Sequence, residues 1–189
     1  MIDASRIHPS LQCLLSLMLL AAVGASLTAS PGPDGVFGAF LGLLMAAIAV
    51  TDCRRYIIPN ELTAAAAALA LLRAGTAGPD PDCYAVLWAA VRGAAIAISL
   101  LALMLGYRRW RGRDGLGLGD IKLAIVAGAW LGWVAIFAVI ELATLSALGA
   151  YIVSGYLKKR PLRTTAFLPF GLFLAPAIWI GWLFETLLG

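Results

Sequence analysis

Hydrophobic residues gather in seven stretches along the chain, separated by short polar loops. The stretches are residues 11–30, 34–51, 60–75, 83–106, 120–131, 133–157 and 167–188. A helix needs about 20 residues to cross the hydrocarbon core of a bilayer, so the third and fifth stretches are short. The fifth and sixth could form one unit bent around Gly132. The pattern predicts an all-α fold, a polytopic membrane helix bundle with six or seven transmembrane segments.

The loops between these stretches alternate in charge. Three of them are basic and carry Arg54, Arg55, Arg108, Arg109, Arg111, Arg113, Lys158, Lys159, Arg160 and Arg163. Two others carry Asp34, Asp80 and Asp82. Because basic loops stay on the cytoplasmic side of a membrane, we expect the loops at 54–59, 107–114 and 158–165 to be cytoplasmic and Cys83 to be external. Seven spans then give a cytoplasmic N-terminus and an external C-terminus.

The first stretch has a second interpretation. Arg6, an apolar run and the letters ASLTAS are also typical of a signal peptide with a small-residue cleavage site. Because the run is long and the remaining chain is membrane-embedded, we expect an uncleaved anchor. Residues 1–33 then form an N-terminal cytoplasmic stub with the first transmembrane segment, and residues 34–189 form the main membrane domain.

Composition supports this picture and excludes some functions. Of the 189 residues, 62% are hydrophobic and 13% charged, whereas soluble domains are about half apolar and a quarter charged. The net charge of +4 has no polar domain to carry it, so we expect no nucleic-acid partner. The three cysteines form no CxxC pair, which argues against a structural zinc site. We expect neither a metal nor a cofactor.

Two aspartates lie at the cytoplasmic ends of apolar stretches. Asp52 ends the second stretch and Asp120 begins the fifth. Asp120 could merely complement a helix dipole, and Asp52 could pair with Arg54 or Arg55. Ionisable groups at membrane segments are nevertheless functional candidates, and two close carboxylates share a proton. The pair is therefore suited to activating a water for peptide hydrolysis without a metal.

Three alternating glycines precede Asp120, namely Gly115, Gly117 and Gly119. Without a Cβ atom, such residues allow unusual backbone angles and close approach to a neighbouring helix or substrate strand. Their spacing matches no phosphate-binding loop. A flexible loop before a helix is the alternative interpretation.

These blocks together resemble the type IV prepilin peptidases, membrane aspartic proteases of the GxGD type. The resemblance rests on TDCRRYIIPNELT around Asp52, on GLGLGDIKLAIVAGAWLGW around Asp120, and on LPFGLFLAPA around Phe170. The blocks follow the order of the family and cover most of residues 36–175. GxGD alone is a weak motif, but three blocks in one membrane chain are specific.

The resemblance implies a specific activity. Such enzymes cut the short basic leader of prepilin-like proteins after glycine, at the cytoplasmic face of the bacterial inner membrane. It implies that Asp52 and Asp120 are the catalytic dyad, that residues 34–189 are the protease domain, and that the partners are a prepilin or pseudopilin substrate and the lipid bilayer. Type IV pilus assembly or a related protein secretion system is the expected setting.

The chain also departs from the family. Longer members carry a cytoplasmic domain with paired CxxC motifs that is associated with methylation of the new N-terminus. Residues 1–35 hold no such motif, so the sequence does not support methyltransferase activity and looks like the short form of Flp/Tad-type pilus systems or archaeal preflagellin peptidases. Leu172 stands where the family often has proline after Phe-Gly, which leaves the role of that turn open.

Other residues in the three blocks have supporting roles in this interpretation. We expect Asn60 and Glu61 to cap the next helix, and Lys122 either to lower the pKa of Asp120 or to extend to lipid headgroups. Weaker candidates for substrate contact or positioning are Pro59, Asn60, Pro169, Phe170 and Gly171; the pair Pro169 and Gly171 favours a helix-entry turn.

Two other functions fit the same sequence. Presenilin-like or signal-peptide-peptidase-like intramembrane proteases also use GxGD, but they pair it with Tyr-Asp and Pro-Ala-Leu, whereas Thr51 precedes the first aspartate here. A non-enzymatic small transporter subunit could use the aspartates to bind protons or cations.

Two further charges lie inside apolar stretches. Arg92 and Glu141 each follow the external start of their segment by about eight residues, or roughly 12 Å. Buried charges tend to be paired, so equal depth and opposite sign predict a salt bridge between the fourth and sixth segments.

Overall fold

The computed structural model describes residues 9–76, 78, 80–112, 117–157 and 169–188, with side chains from residue 16 onwards. Within these ranges the chain forms seven α-helices and no strand. They are α1 (Pro9–Ala29), α2 (Pro33–Arg55), α3 (Asn60–Thr76), α4 (Cys83–Arg111), α5 (Leu118–Trp130), α6 (Trp133–Leu157) and α7 (Gly171–Leu188). The seven helices match the seven predicted stretches, and the all-α membrane bundle is confirmed.

Four helices of the described residues are long and apolar enough to cross a bilayer, namely α2, α4, α6 and α7. Helices α3 and α5 are short, as their sequence predicts, with 17 and 13 residues. The chain does not bend through Gly132 as one unit, because Leu131 is extended and separates α5 from α6. The total of six or seven crossings stays a prediction.

The core runs through α2, α5 and α7, with α7 packed against both of the others. Its fully buried side chains include Leu41, Met45, Leu123, Ile178 and Trp182. Apolar burial alone does not hold helices together in lipid, because lipid tails are equally apolar, so close backbone packing contributes instead. At the contact of α4 with α5, a Cβ atom on Gly128 would lie 2.7 Å from the Cα of Gly93; only glycine permits this approach.

Polar contacts fix the end of the bundle at which α2 begins and α3 ends. The Arg73 guanidinium pairs with Asp34 through two nitrogens and lies over the Trp130 ring at 5.4 Å from its centroid. The Gly132 N–H donates to Glu185 at 2.9 Å. These contacts connect α2, α3, α5 and α7 at this end of the bundle. The two aspartates lie at the opposite end.

The predicted Arg92–Glu141 salt bridge is wrong. Arg92 donates through Nε to the Gly128 carbonyl at 3.2 Å. Helix α4 packs against α3 and α5, while α6 packs mainly against α7. Glu141 is exposed on α6 and makes no ion pair or hydrogen bond with the described residues. Arg92 and Glu141 have similar positions along their helices, but the two helices are not neighbours.

Candidate active site

Asp52 occupies the last turns of α2 with its side chain buried. The helix ends at Tyr56, which adopts left-handed backbone angles (φ 54°, ψ 34°) and donates its N–H to the Asp52 carbonyl at 2.8 Å. A non-glycine residue in this region is uncommon. The turn reverses the chain, so the segment that leads to α3 passes beside the carboxylate.

The start of α7 holds the Asp52 carboxylate. The Leu172 N–H donates to Asp52 Oδ2 at 3.1 Å, across 120 residues of sequence. The first residues of a helix have N–H groups without intrahelical partners, which makes this end a ready donor. Proline at this position would lack the donor. Within the described residues Asp52 makes no ion pair with Arg54 or Arg55, so that alternative is not supported.

Position 171 requires glycine because the backbone there lies close to the same carboxylate. A Cβ atom there would lie 2.9 Å from Asp52 Oδ2 and 2.8 Å from Ile58 Cδ1, distances that real Cβ contacts do not show. Pro169 and Phe170 shape this entry turn, since their carbonyls accept N–H bonds from Leu172 and from Leu174. The turn predicted from Pro169 and Gly171 is therefore present.

Asp120 lies in the first turn of α5, outside the four long spans. Its Oδ2 accepts the Gly117 N–H at 3.3 Å, and its own N–H donates to the Gly117 carbonyl at 3.1 Å. The contacts begin the helix and orient the carboxyl group. Gly115 lies outside the described residues. Gly119 approaches Ile58, whose side chain would be 3.2 Å from a Cβ atom at that position.

Ile58 lies between the two aspartates, a role that was not predicted from the sequence. Its buried side chain contacts both Gly119, next to Asp120, and Gly171, beside Asp52. The carboxyl groups are also linked electrostatically: burial raises the pKa of Asp120 to about 6, the Gly117 N–H opposes the rise, and the charge of Asp52 adds to it. The side chain of Ile58, which lies close to Gly119 and Gly171, thus has the two carboxyl groups around it.

A polar cavity of about 420 Å³ opens next to Ile58 at this end of the bundle. It is lined by Thr51, Arg55, Ile57, Ile58, Pro59, Asn60, Glu61 and Lys122. Lys122 Nζ donates to Asn60 Oδ1 at 2.6 Å, which ties the start of α5 to the start of α3. Lys122 therefore bonds a side chain of α3, whereas the sequence predicted that it would lower the pKa of Asp120 or extend to lipid headgroups. The expected cap at Asn60 is also absent, since its side-chain oxygen binds Lys122.

No cluster of three or more histidine, cysteine or acidic side chains able to hold a metal occurs among the described residues. The two carboxyl groups can carry chemistry of their own. One of them can hold a proton while the other is ionised, which suits activation of a water molecule against a carbonyl carbon.

Comparison with known proteins identifies relatives. Residues 39–153 match the model of the type IV leader peptidase family. A prepilin leader peptidase/N-methyltransferase of Aeromonas hydrophila is 30% identical over 174 residues, which is 92% of this chain and 57% of the relative. The protein of the same name in Burkholderia pseudomallei (strain K96243) is 34% identical over 175 residues, 89% of this chain and 54% of the relative.

A shorter relative also matches. The leader peptidase HopD of Escherichia coli is 38% identical over 106 residues, covering 54% of this chain and 65% of that protein. The chain spans about half the length of the longer relatives. No solved structure matches the chain with significance.

Proposed function

The chain belongs to the type IV leader peptidase family, and we propose that it is a membrane aspartic endopeptidase that cuts the short basic leader of prepilin-like proteins after glycine. The observation that carries the proposal is the convergence of Asp52 and Asp120, from the end of α2 and the start of α5, around Ile58 and beside an open polar cavity. Family motifs and geometry thus converge on the same two carboxyl groups.

In the proposed mechanism the two carboxyl groups share one proton and hold a water between them. The ionised carboxylate removes a proton from the water as its oxygen attacks the scissile carbonyl carbon. The protonated partner donates to the carbonyl oxygen, and the resulting tetrahedral diol collapses as a proton passes to the leaving amine. The apparent pKa values that govern the reaction belong to the pair rather than to either residue.

The surrounding residues keep this pair in position. The Leu172 N–H holds Asp52 and the Gly117 N–H holds Asp120, so neither carboxyl group has to reorganise at the moment of reaction. The cavity beside them carries Arg55, Glu61 and Lys122 and gives access for residues that flank the scissile bond. We propose that this end of the bundle faces the cytoplasm, because the basic ends of α2 and α4 lie there.

We further propose that the chain does not methylate the new N-terminus. The longer relatives carry N-methyltransferase in their names. This chain has three cysteines and no CxxC pair, so it lacks the motif that the resemblance associates with methylation. The proposal concerns this chain and leaves its peptidase assignment unaffected.

Purified protein tests the proposal. The full chain in detergent is mixed with a prepilin and a chelator, and the product is analysed by mass spectrometry, with the Aeromonas hydrophila relative as the positive control. We expect one cut, directly after the glycine at the end of the basic leader. The proposal fails if the relative processes the prepilin and this chain, folded and at equal concentration, leaves it intact.

A further inference from the structure

The outward side of α6 carries a carboxyl group at the middle of a membrane-crossing helix. The inward side of α6 presents Ile136, Val139, Ala143 and Ala147, all buried. At 3.6 residues per turn, Glu141 lies on the opposite side of the helix from Val139 and Ala143. Its neighbours on that side are apolar and exposed, namely Val134, Phe137, Leu145, Leu148 and Ile152. We call these five residues and Glu141 the outer face of α6.

Arg92 is the complementary charge on the other side of the bundle. Its Nε bonds the Gly128 carbonyl, and this is the only hydrogen bond that the guanidinium makes with the described residues. The side chain is half-exposed at the edge of the contact between α4 and α5. Its two terminal nitrogens make no hydrogen bond with the described residues.

The two charges lie at similar depth. Helices α4 and α6 both begin at the end of the bundle opposite the aspartates, where Gly132 contacts Glu185 and Gly75 approaches Val86. Arg92 is nine residues into α4 and Glu141 eight residues into α6, or about 14 Å and 12 Å along the helix axes. A long arginine side chain spans the remaining difference.

Neither charge can satisfy the other within one copy, because α4 and α6 pack on different neighbours. Ionisable side chains inside a membrane are rare on lipid-facing surfaces and almost always pair. A second copy presents the missing partner at the same depth and with the opposite sign. We propose that the chain self-associates in the membrane head to tail, with the outer face of α6 in one copy against α4 of the next and Glu141 paired to Arg92 across that contact.

Charge-reversal variants test the pair in trans. The full chain is co-expressed with two different affinity tags, and co-purification from lipid nanodiscs reports self-association. The variant Arg92→Glu and the variant Glu141→Arg each place like charges together, so each should self-associate roughly tenfold less than the wild type. When the two variants share one membrane, each contact between unlike copies joins opposite charges, and the mixed pair should return to the wild-type level.

The doubly reversed variant separates this arrangement from a pair within one copy. Arg92→Glu/Glu141→Arg should self-associate normally but fail to associate with the wild type, because each contact would then join like charges. Normal association with the wild type would overturn the proposal, as would a wild type that does not self-associate.

Glu141→Gln covers the case in which charge reversal prevents insertion. It keeps the shape of the side chain and removes the charge, and we expect it to weaken self-association by about three- to thirtyfold. The matched control is Glu185→Gln, a glutamate that bonds Gly132 within its own copy and should leave self-association unchanged. Equal self-association by Glu141→Gln and the wild type would contradict the proposal.

Discussion

Replacement of Gly171 by alanine tests how closely the start of α7 holds the Asp52 carboxylate. The added Cβ would lie 2.9 Å from Asp52 Oδ2, 3.1 Å from Asp52 Cγ and 2.8 Å from Ile58 Cδ1. Ordinary contacts at a Cβ atom lie at 3.4–4 Å. Either the carboxylate or the Ile58 side chain must therefore move by about half an ångström, and overpacking of this kind costs about 1–3 kcal/mol.

The position of the clash predicts that activity suffers more than folding. If the dyad geometry absorbs the cost, the cleavage rate falls by about five- to a hundredfold. The rate is measured by the mobility shift of a prepilin in detergent, and thermal unfolding of the same preparation reports stability. Gly149→Ala is the control, because nothing lies within 4 Å of a Cβ atom at that helical position; it should cleave normally.

A second change identifies which neighbour moves. Ile58→Val removes the Cδ1 atom that lies nearest to the new methyl group but leaves the contact with Asp52. We expect Gly171→Ala/Ile58→Val to remain slow, because the clash of the new methyl group with the Asp52 carboxylate persists. Cleavage by Gly171→Ala at the wild-type rate would refute the reasoning, since it would show that the start of α7 does not constrain Asp52.

Three further predictions concern charge and topology. The folded-state pKa of Asp120 is raised from 3.8 to about 6, so between these values the folded protein binds a proton that the unfolded chain lacks. The free energy of unfolding should therefore fall by up to roughly 3 kcal/mol as the pH rises from about 4 to 6, and it should stay constant at higher pH. The variant Asp120→Asn should show a weaker pH dependence in thermal unfolding of the solubilised protein. Arg73→Ala should lower stability by about 1–2 kcal/mol, because the bidentate bond to Asp34 and the stacking on Trp130 are both lost. Arg73→Lys should recover only part of this loss. Equal thermal stability of Arg73→Ala and the wild type would contradict the prediction. Single-cysteine proteins should react with an impermeant thiol reagent in intact spheroplasts at Cys83 but not at Cys53; the reverse pattern would invert the topology.

Much of the fold could be predicted because hydrophobic runs report helices directly. The stretch at 133–157 coincides with α6, and 83–106 lies within α4. The aspartates could also be placed at one end of the bundle, since charge sets topology and helix ends set depth. Such reasoning locates a residue along a helix axis and against the membrane, which is why Asp52 and Asp120 could be paired from sequence.

The contacts around the helices could not be predicted in the same way. Depth does not say which way a side chain points, and the expected pair of Arg92 with Glu141 failed for this reason. Ile58, the Leu172 N–H and the bond between Lys122 and Asn60 all depend on which helices are neighbours. Leu172 reads as a departure from the family pattern, yet its backbone supplies a donor that proline cannot.

The central claim is that Asp52 and Asp120 together perform the hydrolysis, and the most direct measurement compares their asparagine variants in prepilin cleavage by purified protein. Asparagine keeps the size of the side chain but can neither accept nor hold the shared proton. The control is Asp82→Asn, which changes an aspartate that caps α4 to a residue that caps equally well. We predict that Asp52→Asn and Asp120→Asn each lose cleavage by at least about a thousandfold, with unfolding temperatures close to that of the wild type, while Asp82→Asn cleaves normally. Cleavage by either dyad variant within about tenfold of the wild-type rate would contradict the account.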